Sequence, residues 1–220
     1  KGWSLMGDAV SHAVLPGMYY VFGDTLGDQF AEFTLVRFYV HIVADAAPGL
    51  IEWLTTHLNR FQVPFQLKCQ KRQVHYERLD AFVVYVARRH LEITARVIAG
   101  APEPVLSSLK PAVPLFSKKL RPGIGLAEDP GHSRSFGLNR CQLLAEGIVD
   151  AWTNGQASPT ARLDAVRQRF HDRLGPGSHF ATLRSNRDPD DLEVLTVVAR
   201  NRAIRNRPAL QLFQRNDSRL

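Results

Sequence analysis

Four short stretches of the chain hold residue types that suit phosphate chemistry. "RFYVH" supplies Arg37, Tyr39 and His41, "FQLKC" supplies Lys68, "YERLDAFVVYV" supplies Arg78, Asp80 and Tyr85, and "GLNR" supplies Arg140. Guanidinium groups bind the oxygens of a doubly charged phosphate through charge-assisted hydrogen bonds. A lysine held close to other cations has its ammonium form disfavoured, so its pKa falls and the neutral amine can act as a base. A tyrosine beside the same cations is expected to ionise more easily, and to hydrogen-bond or protonate a leaving oxygen. Those parts suffice for β-elimination, in which a base takes the Cα proton and phosphate leaves from Cβ. The reaction needs neither a metal nor a redox cofactor, and the sequence has no metal-ligand motif or Gly-rich phosphate loop. Each residue also has an ordinary reading: Arg37 and Tyr39 on a solvated strand face, Lys68 at the surface, Asp80 paired with Arg78, His41 structural. Their convergence is what points to a site.

Strands must hold these groups together. In "TLVRFYVHIV" (34–43) every second residue is apolar, namely Val36, Phe38, Val40 and Ile42. Side chains alternate across a strand, so Arg37, Tyr39 and His41 share the other face. "VPFQLKC" (63–69) alternates in the same way, and "LDAFVVYVA" (79–87) is a nearly continuous apolar run, as expected of a central strand. Arg78 and Tyr85 differ in parity, so both face one site only if Arg78 precedes the strand or a bulge intervenes. "MYYVF" reads as a further short strand before the turn "GDTLGDQF".

Helical spacing appears in 46–62, where Pro48 suits a first turn, and again in 89–98, 135–152 and 160–175, the last ending at Gly175 and Pro176. The prolines of 102–123 are expected to exclude a regular helix and to leave an extended cover over the site. In that cover Lys118, Lys119 and Arg121 are solvated charges or guides for an acidic or phosphorylated peptide. Residues 124–140 read as a Gly/Asp/Ser-rich loop in which Asp129 shapes the turn or pairs with an arginine. The pattern as a whole predicts a single α+β domain, with a twisted, mainly antiparallel sheet and helices packed against it.

Composition narrows the partners. The 220 residues are 45% hydrophobic and 22% charged, which is ordinary for a packed globular chain. The net charge of +7 comes mostly from arginine (22 Arg against 6 Lys) and suggests an anionic partner. Nucleic acid is not expected, because no zinc-finger spacing, RNA-binding aromatic motif or helix-turn-helix is present and the charge forms no stripe. Cys69 and Cys141 stand alone, which fits packing residues in a reducing compartment such as the cytoplasm. No run of 18 or more apolar residues exists, so no membrane span is expected.

Two resemblances add to this reading. Residues 1–17, "KGWSLMGDAVSHAVLPG", resemble a transmembrane-helix segment of zinc/manganese ABC-transporter permeases, where an Asp and a His spaced like Asp8 and His12 share a helix face. Two ligands do not complete a coordination shell, so a fused or remnant fragment is the expectation. The stretches "YYVFGDTLGD", "LVRFYVHI", "LTTHLNRFQVPFQLKC", "YERLDAFVVYVA", "PLFSKKLRPGIGLAEDPGHSRSFGLNRCQLLAEGIVDAW" and "GPGS" resemble the HopA-type effector domain, a family found among bacterial type III effectors. Related domains act as lyases in class V lanthipeptide biosynthesis, and the family is distantly similar to phosphothreonine lyases.

The resemblance implies a domain over 18–183 and a basic tail over 184–220. It makes Lys68 the general base and Arg37, Arg78 and Arg140 the phosphate ligands, with Tyr85 lining the site. Arg37 and Tyr39 stand where phosphothreonine lyases have a Lys-x-His pair, which leaves the general acid open between Tyr39 and His41. The implied activity is metal-independent elimination of phosphate from phosphoserine or phosphothreonine in a peptide, without a cofactor. A separate kinase and a cyclase would be partners in a lanthipeptide setting. The alternatives are a secreted effector and a non-catalytic module that binds phosphopeptides.

Overall fold

The computed structural model describes residues 17–27, 35–130 and 135–174. Six strands form one sheet in the order β1-β3-β4-β2-β6-β5, with every neighbouring pair antiparallel. They are β1 (Met18–Phe22), β2 (Leu35–Val40), β3 (Phe65–Gln70), β4 (Phe82–Ala87), β5 (Lys118–Arg121) and β6 (Ile124–Glu128). The helices are α1 (Ala47–Arg60), α2 (Leu91–Ala99), the single turn α3 (Glu103–Leu106), α4 (Phe136–Thr153) and α5 (Pro159–Leu174). The expected α+β domain with an antiparallel sheet is what is found.

Alternation decides which face of the sheet becomes the core. Val36, Phe38 and Val40 of β2, Leu67 and Cys69 of β3, and Phe82, Val84 and Val86 of β4 are buried in one cluster with Leu50, Leu54 and Leu58 of α1. Those leucines are four residues apart and so line one side of the helix. Pro48 sits in the first turn of α1, where its missing N–H costs no helical hydrogen bond. β4 lies third in the sheet and is covered on both faces, which explains its continuous apolar run. On the opposite face Tyr39, Val83 and Ala127 meet Phe136 of α4. The α4–α5 hairpin has its own cluster of Leu143, Val166, Phe170 and Leu174, which Phe116 joins to that face.

Three expectations are corrected. Residues 124–128, read as loop, form the buried strand β6, because Gly125 and Ala127 let cover come close on the polar side. A Cβ on Gly125 would lie 2.6 Å from Ser117 Oγ, so the segment before β5 rests directly on this strand. The Pro-rich stretch contains the turn of helix α3, with Pro102 as N-cap and Pro104 within the first turn, where proline is tolerated. Its end, Lys118–Arg121, is the edge strand β5, and the lysines there suit an edge that must resist further pairing. Residues 1–16, including Asp8 and His12, "GPGS" and the stretch after 183 lie outside the described residues.

The β5–β6 turn depends on Gly123. Its φ is +78°, and a Cβ there would stand 2.6 Å from the carbonyl oxygen of Lys110. Gly123→Ala is therefore expected to destabilise the fold by about 2 kcal/mol, through left-handed strain and that backbone clash. Urea unfolding of the variant measures it.

Candidate functional site

The register assembles the polar face. Arg37 of β2 is the direct partner of Tyr85 on β4, and Val83 on β4 separates Tyr39 of β2 from Lys68 of β3. Tyr20 of β1 is in turn the partner of Lys68. By parity Tyr20, Lys68, Tyr85, Arg37 and Tyr39 thus share one side of four adjacent strands, with Lys68 and Tyr39 about 10 Å apart at their backbones.

The side chains converge on Tyr85. The Arg37 guanidinium carbon lies 5.1 Å from the centre of the Tyr85 ring, and Lys68 Nζ lies 5.4 Å from the same point. Arg37 Nε donates to Asp129 Oδ2 at 2.5 Å, just beyond the end of β6. Arg140 arrives from the first turns of α4, whose N-terminus is capped by the Ser135 hydroxyl accepting from Leu138 N–H. Its guanidinium lies 4.7 Å from the Phe136 ring and donates to Asn139 Oδ1 at 2.6 Å. The Phe136 ring is 6.0 Å from that of Tyr39, so α4 closes one flank of the group while burying Arg140 completely.

Burial sets the electrostatics. The Lys68 ammonium is driven below the ordinary lysine pKa, first by burial and then by Arg37. Among the described residues it makes no ion pair, and the carboxylates of Asp80 and Asp129 only partly counter the shift. The tyrosines correct the expectation of easier ionisation. Tyr39 and Tyr85 are each pushed up to about 12, because burial outweighs the pull of Arg37. Burial lowers Arg140 to about 10, which still leaves it charged at neutral pH. Burial also opposes the charge of Arg37, but Tyr85, Asp129 and Tyr39 more than offset it and raise its pKa.

The raised tyrosines have a measurable consequence. The folded chain keeps these protons where the unfolded chain, with tyrosines near 10, loses them. Their contribution is complete below pH 10 and is lost as pH climbs through about 12. Urea unfolding is expected to show stability falling over that window by roughly 3 kcal/mol for Tyr39 alone, with a shallower fall in Tyr39→Phe.

Two of the sequence-derived candidates stand apart from the group. β2 ends at Val40, so the alternation that would set His41 beside Tyr39 stops short of it. The His41 N–H instead donates to the Gly123 carbonyl, its own carbonyl accepts from Lys110 N–H, and its ring is buried near Lys110 and Glu77. Its pKa is lowered by burial and then by Lys110. Arg78 precedes β4, as its parity required, but it is exposed and grips Asp80 with two hydrogen bonds of 2.9 Å. It reaches the group only indirectly, through the Asp80 charge felt by Lys68, Tyr39 and Tyr85. The structure thus brings together Arg37, Tyr39, Lys68, Tyr85 and Arg140.

It also adds residues that sequence reasoning did not assign to the site. Tyr20 was detectable from alternation in "MYYVF", which sets it on the side opposite Val21. Asp129 takes the arginine-pairing option, with Arg37 as its partner. Phe136 carried no sequence signal beyond its place at a helix start. Glu128, buried at the end of β6, accepts from Arg88 Nη1 at 3.0 Å and supports the Arg140 charge. Among the described residues no group of three or more His, Cys, Asp or Glu is gathered as metal ligands, and no helix is long and apolar enough to cross a membrane.

The fold recurs in a solved structure of a bacterial effector. An effector protein from Pseudomonas syringae pv. tomato strain DC3000 aligns with a TM-score of 0.58 at 15% identity, over 74% of this chain and 62% of that one. An effector protein from Pseudomonas syringae pv. syringae strain 61 gives 0.49 at 13% identity, over 72% and 59%. The chain therefore spans about three fifths of the length of either effector, and at 15% identity the likeness to the first is one of fold. No curated protein matches the sequence. The model of the HopA1 effector protein family matches residues 9–174, a span that closes with α5. The chain belongs to the HopA1 effector protein family.

Proposed function

We propose that the polar sheet face binds the phosphoryl group of a phosphoserine or phosphothreonine in a peptide or protein, and that Lys68 then eliminates it. The observation that supports this most is the placement of Lys68: half-buried, without a carboxylate partner among the described residues, and sharing the Tyr85 ring with Arg37. A lysine so placed yields a neutral amine at lower pH than usual.

In the step, neutral Lys68 Nζ takes the Cα proton of the phosphorylated residue. The electron pair left on Cα forms the Cα=Cβ bond, and the Cβ–O bond breaks with its electrons leaving on phosphate. Arg37 and Arg140 hold the phosphate oxygens by charge-assisted hydrogen bonds. Tyr39, whose proton is retained up to about 12, donates a hydrogen bond to the leaving oxygen. The product is dehydroalanine or dehydrobutyrine. Membership of an effector family suits a phosphorylated host protein as substrate, reached by secretion. In a biosynthetic setting a kinase supplies the substrate and a cyclase consumes the alkene.

A second reading, phosphoprotein binding without turnover, is favoured by the acid side of the site. Tyr39 holds its proton tightly, and His41 lies away beside Lys110.

One experiment separates the two. The protein is incubated with a phosphothreonine peptide and the products are weighed by mass spectrometry. Elimination predicts loss of one phosphoric acid, at a rate that rises with pH with a slope of about one and levels off below the ordinary lysine pKa. No loss from varied peptides, with binding still measurable, would leave the binding reading alone.

A further inference from the structure

The polar sheet face is closed at one flank and open at the other. On the β2 side α4 lies over it, with the Phe136 ring 6.0 Å from that of Tyr39, and Tyr39, Val83 and Ala127 are buried. Exposure then grows strand by strand towards β1: Arg37, Tyr85, Gln66 and Lys68 are half-buried, and Phe22 is 45% exposed. Among the described residues, the open way out for a chain whose phosphorylated residue reaches Lys68 and Arg37 is over β3 and β1. The register shows what it meets there. Phe22 of β1 is the partner of Gln66, and Gln66 in turn of Tyr85, so both share the face of Tyr20, Lys68 and Arg37. The Tyr20 and Phe22 rings lie nearly parallel, 6.5 Å apart between centres and 13° between planes. Their strand end is fixed: Gly23 N–H donates to the Phe65 carbonyl, and Asp24 N–H to Asn59 Oδ1. Unlike the centre of the site, these three margin positions carry no charge.

We propose that this margin binds the peptide chain beside the phosphorylated residue: Gln66 pairs with a main-chain peptide group, and an apolar side chain one or two positions from the phosphoresidue rests on the Tyr20–Phe22 pair. The inference rests on the phosphoryl-binding reading of Arg37 and Arg140. Chemistry selects the occupant. The Gln66 carboxamide makes no hydrogen bond among the described residues, and it offers both an acceptor and donors. A phosphoryl group has acceptors only, whereas a peptide group has one N–H and one C=O and can satisfy both ends of the amide. A ligand that covers Gln66 without doing so would leave buried polar atoms unpaired. The ring pair offers flat apolar area and no cation of its own for an acidic side chain or a second phosphate. Distance sets the spacing. Lys68 and Phe22 are diagonal neighbours on adjacent strands, about 7–8 Å apart, and an extended chain covers that in about two residues. The substrate class narrows accordingly, to phosphopeptides with an apolar residue close to the phosphoserine or phosphothreonine.

The test is calorimetric titration of the full Lys68→Ala chain, in which no ligand is consumed. Its probes are a phosphothreonine peptide flanked by leucines, the same peptide flanked by glutamates, the leucine peptide with plain threonine, and ethyl phosphate. The leucine phosphopeptide is expected to bind about tenfold tighter than the glutamate one, against the pull of the +7 net charge. Phe22→Ser, at an exposed position, should erase that ratio with an unchanged circular dichroism spectrum. Gln66→Met, close in shape but without the amide, should weaken both phosphopeptides about fivefold and leave ethyl phosphate unaffected, whereas a structural defect would weaken all three. Phosphopeptides bound alike whatever flanks them, or a leucine preference that survives Phe22→Ser, would overturn the inference and leave the phosphoryl reading standing. A threonine peptide bound as tightly as its phosphorylated form would overturn the phosphoryl reading, and the inference with it.

Discussion

Lys68→Ala is expected to lower the rate of phosphate elimination about 10³-fold, close to 4 kcal/mol at the transition state. The side chain projects from a strand whose neighbours are buried at Leu67 and Cys69, and its removal empties no core position. Stability should therefore change little while turnover collapses. Phosphopeptide binding should weaken by no more than about tenfold, because Arg37 and Arg140 remain to hold the oxygens. Lys68→Arg is the sharper control. It keeps the charge but cannot release a proton near neutral pH, so it should bind phosphopeptide as well as the wild type and eliminate no faster than the alanine variant. Single-turnover mass spectrometry measures both. A variant without Lys68 that turns over at the wild-type rate would remove the base from the account.

Gly147→Leu is expected to destabilise the fold by about 3 kcal/mol, the upper end of overpacking penalties. α4 and α5 approach closely here: a Cβ on Gly147 would lie 2.6 Å from Val166 Cα and 3.0 Å from Val166 Cγ2. The obstacle is helix backbone, so the helices must move apart. Replacing a helical glycine returns about 1 kcal/mol of propensity, which offsets only part of the loss. The melting temperature should fall by roughly 6–12 °C for a chain of this size. The damage should also reach the candidate site, because α4 delivers Arg140 and Phe136 to it. Weaker phosphopeptide binding in the folded variant, read at a temperature well below its melting point, would express that link.

How much of this was legible depended on how each residue is buried. β2 and β3 alternate polar and apolar residues, so Arg37, Tyr39 and Lys68 could be set on one face of the sheet from the sequence. β4 was legible as a central strand from its unbroken apolar run, and α1, α4 and α5 from helical spacing. β6 was not: covered on both sides, with Gly125 and Ala127 fitted under Ser117 and Phe136, it has neither alternation nor large side chains. His41 was assigned one residue too far along β2, since parity says nothing about where pairing stops. The tyrosines were misjudged for a different reason. Proximity of cations can be read from a strand pattern, but the desolvation that opposes ionisation depends on α4 closing over Tyr39, which is a tertiary fact. Arg78 precedes the strand and lies at the surface, paired with Asp80 only two residues away, which parity alone does not reveal.

The central claim is that this face recognises a phosphoryl group. Calorimetric titration of the Lys68→Ala protein tests it most directly, because the ligand then stays intact during the measurement. The account predicts a single binding event for a phosphothreonine peptide, weakened at least tenfold by Arg37→Gln and absent for the same peptide with threonine. Equal affinity for the two peptides, or binding indifferent to Arg37→Gln, would contradict it.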